Sequence, residues 1–94
     1  MDSNIESPSG LAAVAATGAV NKINFTGVEA SGEVTYEIWR RHGDTVDWYL
    51  HATTPDPAYE DTDVKPGQYY EYKIRAVRGE SASEYSDSAV VYGK

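Results

Sequence analysis

Two histidines, one cluster of carboxylates and a set of aromatics on alternating positions are the residues of this 94-residue chain whose types could do chemistry. His42 falls at a turn and His51 at a strand end, with neither a cysteine nor a His-x-x-Glu spacing to accompany them. Nucleophilic catalysis needs a base oriented by a third group, and no serine, histidine and carboxylate are spaced to meet. Both histidines therefore read as solvent-exposed. Glu60, Asp61 and Asp63 could serve acid–base chemistry or hold calcium. Neighbours on a strand point to opposite faces, so Glu60 and Asp61 diverge, and the cluster reads as solvated charge. The sequence thus nominates no catalytic residue, no metal ligand and no cofactor.

The candidate binding residues are Trp39, Tyr49 and Arg75. Alternation turns Trp39 away from Tyr36 and Ile38, and Tyr49 away from Trp48 and Leu50. On neighbouring strands, Trp39 and Tyr49 would form a platform for stacking on sugar rings or on a partner protein. The competing reading packs Trp39 under the aliphatic stem of Arg75 or Arg41 on its own sheet. That second reading is the simpler one, since such cross-strand pairs commonly stabilise sheets.

The elements that must carry these residues are short strands. The clearest begins at Val64-Lys-Pro-Gly-Gln and continues in strict alternation, with Tyr70, Tyr72, Ile74 and Ala76 on one face and Glu71, Lys73 and Arg75 on the other. A period of two with one wet side is the mark of a strand. Further strands are expected at Leu11–Thr17, Val20–Thr26, Val34–Arg41, Val46–Ala52, Ala58–Asp61 and Ser86–Tyr92. They are separated by a break at Gly18, a loop over Glu29–Glu33, a turn at His42-Gly43-Asp44, the Pro55-Asp56-Pro57 interruption and a loop over Gly79–Ser83. No window carries a helical repeat of useful length. About seven strands predict an all-β, immunoglobulin-like Greek-key β-sandwich in two sheets. Residues 1–9 are expected to be a linker and residues 10–92 the folded domain.

Composition narrows the function classes. One domain fits in this length, and a chain of this size buries somewhat over ~60% of its unfolded surface. There is no cysteine, so no disulfide framework and no thiolate metal site. Eight basic against 15 acidic residues give a net charge of −7 and a pI near 4.6. Such a charge repels nucleic acid and anionic membrane surfaces. No segment approaches the ~18 apolar residues of a membrane span. The Asn24-Phe25-Thr26 glycosylation pattern falls inside a strand and reads as chance.

These residues resemble the fibronectin type III family over roughly residues 8 to 92. Pro8 with Leu11 resembles its first strand, and Ile23 with Phe25 stands where the family keeps a β-branched residue followed by an aromatic, usually tryptophan. Tyr36 and Ile38 match its Tyr-x-Val strand. Val64-Lys-Pro-Gly-Gln-Tyr-Tyr70 matches its Leu-x-Pro-Gly-x-x-Tyr corner, in which the Tyr70 ring packs in the core and its hydroxyl ties the turn backbone. Ala76-Val77 with Gly79-Glu80-Ser81 matches the loop between the last two strands.

The resemblance implies a non-catalytic spacer or protein-interaction module, monomeric, in a larger secreted or cell-surface protein, often one acting on polysaccharide. Its partners would be neighbouring domains, another protein or a polysaccharide. The alternative is a carbohydrate- or protein-binding module working through the exposed aromatic face. Adhesive members of the family carry Arg-Gly-Asp on the loop where this chain has Arg78-Gly79-Glu80. Glu80 is one methylene longer, which alters reach and angle, so adhesion through this loop is not expected.

Overall fold

A computed structural model describes residues 5–28, 33–43 and 47–94. Among these residues eight strands are present: β1 (Ser9–Ala16), β2 (Val20–Thr26), β3 (Thr35–His42), β4 (Tyr49–Thr54), β5 (Ala58–Asp61), β6 (Tyr69–Arg78), β7 (Ser81–Ala82) and β8 (Ala89–Tyr92). They form a three-stranded sheet in the order β1-β2-β5 and a five-stranded sheet in which β4-β3-β6-β7 run in order and β8 also pairs with β6. All pairings are antiparallel. This is the expected all-β sandwich.

Alternation builds the core. Ile23 and Phe25 enter from β2, Tyr36 and Ile38 from β3, and Tyr70, Tyr72, Ile74 and Ala76 from β6. Phe25 meets Tyr36 edge-on, with centroids 5.0 Å apart. The core also reaches past the boundary expected at residue 9. Ile5 is buried within it, and β1 opens at Ser9 rather than Leu11.

The turn before β6 behaves as its residues require. Gly67 takes a φ of 79°, where a side chain would be strained. The Tyr70 hydroxyl accepts the Lys65 backbone N–H at 2.6 Å while the ring is 1% exposed. Val64 is buried beside it.

The expected last strand, Ser86–Tyr92, is shortened to β8, and the expected loop Gly79–Ser83 instead carries the two-residue β7. Ser83 and Ser86 interrupt the ladder with β6: Ser83 Oγ accepts the Ala76 N–H at 2.8 Å and Ser86 Oγ accepts the Ile74 N–H at 3.1 Å. Their own amides return bonds to the Ala76 and Ile74 carbonyls, both at 2.8 Å. Side-chain oxygens thus stand in for strand carbonyls, and regular pairing survives only at β7 and β8. The strand expected over Val46–Ala52 is β4, from Tyr49 to Thr54. Val46, Asp44 and most of the loop over Glu29–Glu33 lie outside the described residues.

Entry and exit fall at opposite ends. Ser9 pairs with Thr26 at the end of β2, near Val28, whose N–H donates to the Tyr36 hydroxyl. Gly93, past β8, exchanges backbone bonds with Gly67 and Gln68 at the start of β6. The domain measures 46 × 24 × 18 Å.

Candidate functional site: an outer aromatic face and an inner polar hub

The register between β3 and β4 decides which aromatics share a face. Ile38 pairs with Ala52, but Trp39 pairs with Leu50, so His51 is the extra residue of a bulge. Trp39 and Leu50 therefore look outward, and Arg40 with its partner Tyr49 looks inward. The expected platform of Trp39 and Tyr49 does not form. The two rings lie on neighbouring strands and on opposite faces of the sheet.

Trp39 and Arg75 do meet. The Arg75 guanidinium lies 5.7 Å from the Trp39 ring centroid. Glu37 Oε1 accepts from both the Trp39 indole N–H at 2.9 Å and Arg75 Nε at 2.6 Å. This is the cross-strand packing reading, completed by a carboxylate. Tyr85 takes an edge contact with Trp39, its centroid 5.8 Å away, and faces Arg75 and Lys73.

Lys73 sits between two rings, its ammonium 4.4 Å from the Trp48 centroid and 3.9 Å from that of Tyr85. Burial and the neighbouring Arg41 charge lower its pKa. Arg41 closes the row, stacked at 4.7 Å on Trp48 and paired with Glu71 at 2.8 Å. Burial opposes ionisation of Glu71, but hydrogen bonds from Ser88, Tyr69 and Arg41 outweigh it and hold the carboxyl below its ordinary range. Leu50, Val90 and Tyr92, three of the four exposed large hydrophobics among the described residues, project from this same face.

The inner face holds what sequence reading placed in solvent. Asp61 is fully buried. One carboxylate oxygen accepts from Arg40 Nη1 at 2.7 Å and from the Tyr72 hydroxyl at 2.6 Å. The other accepts from His51 Nε2 at 2.9 Å and from the Asp63 amide at 3.0 Å. Because a carboxylate only accepts, the His51 ring carries its hydrogen on Nε2 in this contact. Asn21, also fully buried, donates to the Tyr72 hydroxyl at 2.9 Å.

Burial alone would raise the Asp61 pKa. The bonds from His51, Tyr72, Arg40 and the Asp63 amide win and hold it well below the carboxylate range. Burial and the Asp61 charge push the Tyr72 phenol up. Burial likewise works against the Arg40 charge, yet its bonds to Tyr49 and Asp61 raise its pKa further.

Two expectations are corrected here. The cluster Glu60-Asp61-Asp63 is not uniformly solvated: Glu60 does diverge into solvent, but Asp61 turns inward and finds a cation. The histidines are not simply exposed either. His51 has only 12% of its side chain accessible, and Gln68 Nε2 donates to His42 Nδ1 at 3.1 Å. The signal for the hub was present in the alternation itself. Tyr36 and Ile38 inward put Arg40 inward as well, and a buried guanidinium requires a carboxylate.

Arg40 also floors a small cavity of 280 Å³ at the end of the domain where β8 finishes, lined with His42, Asp63, Lys65, Gln68 and Tyr70. Chemically, each charged group of the hub meets its complement, while Arg40 Nη2 keeps only a 3.4 Å contact and the buried Asn21 Oδ1 finds no partner; no nucleophile with an oriented base is present among the described residues. Among those residues, no group of three or more acidic or histidine side chains is arranged to hold a metal ion.

No protein-family model matches the sequence, and no curated protein matches it either. Solved structures do. An Fn3-like protein from Clostridium thermocellum superposes with a TM-score of 0.80 at 24% identity, over 96% of this chain and 94% of that one. The protein FN3tt gives 0.80 at 18% identity, covering 96% and 95%. A titin fragment of consecutive domains gives 0.81 at 12% identity over 95% of this chain, which spans only 32% of the titin fragment. With the tyrosine-tied turn before β6 and the β1-β2-β5 sheet packed on the β4-β3-β6 sheet, these superpositions show that the chain has the fibronectin type III fold.

Proposed function

We propose that this module is a non-catalytic spacer or protein-interaction domain of a larger extracellular protein. The observation that carries the reading is the placement of entry and exit at opposite ends of a body 46 Å long. A chain whose first strand opens at one end and which leaves past Gly93 at the other holds whatever precedes and follows it apart along the sandwich. The chemistry of the interior supports the same reading. Its ionisable groups are bound to one another and buried, which suits a rigid body better than a reactive site.

The experiment is a replacement within the longer protein that carries the domain. Exchange for another fibronectin type III domain of equal length is expected to retain that protein's activity, whereas deletion alters it. A replacement as damaging as the deletion would overturn the spacer role.

A second reading has its own observation. Leu50, Val90 and Tyr92, at 47%, 49% and 62% exposure, share the outer face with Trp39 and Arg75. Such a concentration of apolar surface is what protein and carbohydrate partners use. Tryptophan fluorescence during titration with a panel of soluble glycans tests the carbohydrate branch, and a flat response throughout would remove it.

A further inference from the structure

The cavity floored by Arg40 holds a cation whose hydrogen bonding is incomplete. Arg40 is 5% exposed, so its donors cannot rely on bulk water. Its Nε donates to the Tyr49 hydroxyl at 2.5 Å, and Nη1 donates to Asp61 at 2.7 Å and to the Asp63 carbonyl at 2.8 Å. Its Nη2 reaches only the carboxylate of Asp63, which also lines the cavity, at 3.4 Å. A charge-assisted bond of this kind normally closes to about 2.7–2.9 Å. The Asp63 side chain is 84% exposed. One nitrogen of a buried guanidinium is therefore held by a long contact to a carboxylate that water already solvates.

The rest of the lining suits an anion. Lys65 is an exposed cation at the mouth. Beneath, Asp61 balances Arg40, and Asp63 and Lys65 both line the cavity. An incoming carboxylate that displaces the Asp63 side chain into solvent keeps the site electrically balanced. The size limits the occupant: at 280 Å³ the cavity falls just below the ~300–1,000 Å³ of drug-sized pockets. It admits a small organic acid or one acidic side chain.

We propose that this cavity is a carboxylate-binding site, in which the ligand's oxygen replaces Asp63 on Arg40 Nη2 and pairs with Lys65 at the mouth. Asp63 is the built-in competitor that occupies the position when no ligand is bound. The carboxylate has two sources, a free small acid or the acidic side chain of a segment packed against this end of the domain. The bond is weak at physiological salt, which screens the exposed Lys65 at the mouth, while the net charge of −7 opposes anion approach most at low salt.

The test is a titration of the isotope-labelled domain at constant ionic strength, followed by NMR at Arg40 Nε, the His42 ring and the Gln68 carboxamide. The probes are glutarate, a glutamate capped at both ends, and uncharged glutaramide. Saturable shifts at these three groups are expected with the two carboxylates and not with glutaramide. Tighter binding of capped glutamate identifies a protein side chain as the occupant, and tighter binding of glutarate identifies a free acid.

Asp63→Asn is expected to tighten carboxylate binding several-fold, and Lys65→Gln to weaken it several-fold. Both positions are exposed, and thermal unfolding checks that the fold is kept. Shifts that fail to saturate, equal shifts with glutaramide, or an affinity unchanged by Asp63→Asn would each overturn the proposal.

Discussion

Arg40 and Arg41 are adjacent on β3 and live in different solvents. Arg40 turns inward to a fully buried carboxylate, while Arg41 turns outward to Glu71 with a third of its side chain still accessible. The two ion pairs have nearly the same length, 2.7 and 2.8 Å. Their energetic meaning differs because both partners of the inner pair are buried, whereas in the outer pair Glu71 is buried and Arg41 stays a third open to water. Distance alone says little about what a salt bridge contributes; the side of the sheet decides it.

The largest test of that contrast removes the charge of Asp61. Asp61→Asn leaves a buried guanidinium without its counter-ion, and a loss of about 3–5 kcal/mol is expected by urea denaturation. Arg41→Gln, the matching change outside, is expected to cost less, about 1 kcal/mol, because Tyr69 still donates to the buried Glu71 and Arg41 is partly open to water. Similar losses for both would erase the distinction between the faces.

Tyr72→Phe is the next largest. It deprives Asp61 of a donor and Asn21 of an acceptor, both fully buried, for an expected loss of about 1–3 kcal/mol. A value near zero in chemical denaturation would mean that the hub closes without the phenol.

Tyr70→Phe removes the hydroxyl that ties the Lys65 amide and is expected to cost about 1 kcal/mol. Indistinguishable urea midpoints would take that hydroxyl out of the account. The smallest effect belongs to the outer face. A double-mutant cycle on Glu37 and Arg75 is expected to give a coupling of about 0.2–1 kcal/mol that shrinks with added salt. A coupling that ignored salt would place the pair in a drier setting than its exposure indicates.

Much of this was legible in the sequence, and the pattern of what was missed has a cause. The β6 alternation and the Pro66-Gly67 turn ahead of Tyr70 announced the sandwich, because each is local: neighbouring residues fix the period and the torsions. The Trp39–Arg75 contact was legible for the same reason, as a pairing between adjacent strands. The bulge at His51 was not, since an extra residue shows only when two strands are laid side by side. Tyr49 was consequently assigned to the wrong face.

The hub joins Asn21, Arg40, His51, Asp61 and Tyr72 from five strands and both sheets. Its members look like surface residues one at a time. Only Arg40, at an inward position of β3, carried a sign of it. The serine bonds between β7 and β8 were hidden likewise, because a side-chain oxygen taking the place of a carbonyl leaves no period to read.

Acid provides the most direct test of the central claim, that a buried and fully hydrogen-bonded Asp61 holds the two sheets together. The unfolded chain binds a proton at Asp61 near the ordinary aspartate value of ~3.9, while the folded chain keeps it ionised to well below that. Acid therefore favours the unfolded state, and the stability contributed by Asp61 is full above ~pH 5 and lost progressively as pH falls below it. The measurement is the carboxyl carbon shift of Asp61, followed by NMR as the folded protein is acidified. This carbon is expected to show no protonation through the ordinary aspartate range and to change only as the protein unfolds. A folded-state midpoint near the ordinary value would contradict it.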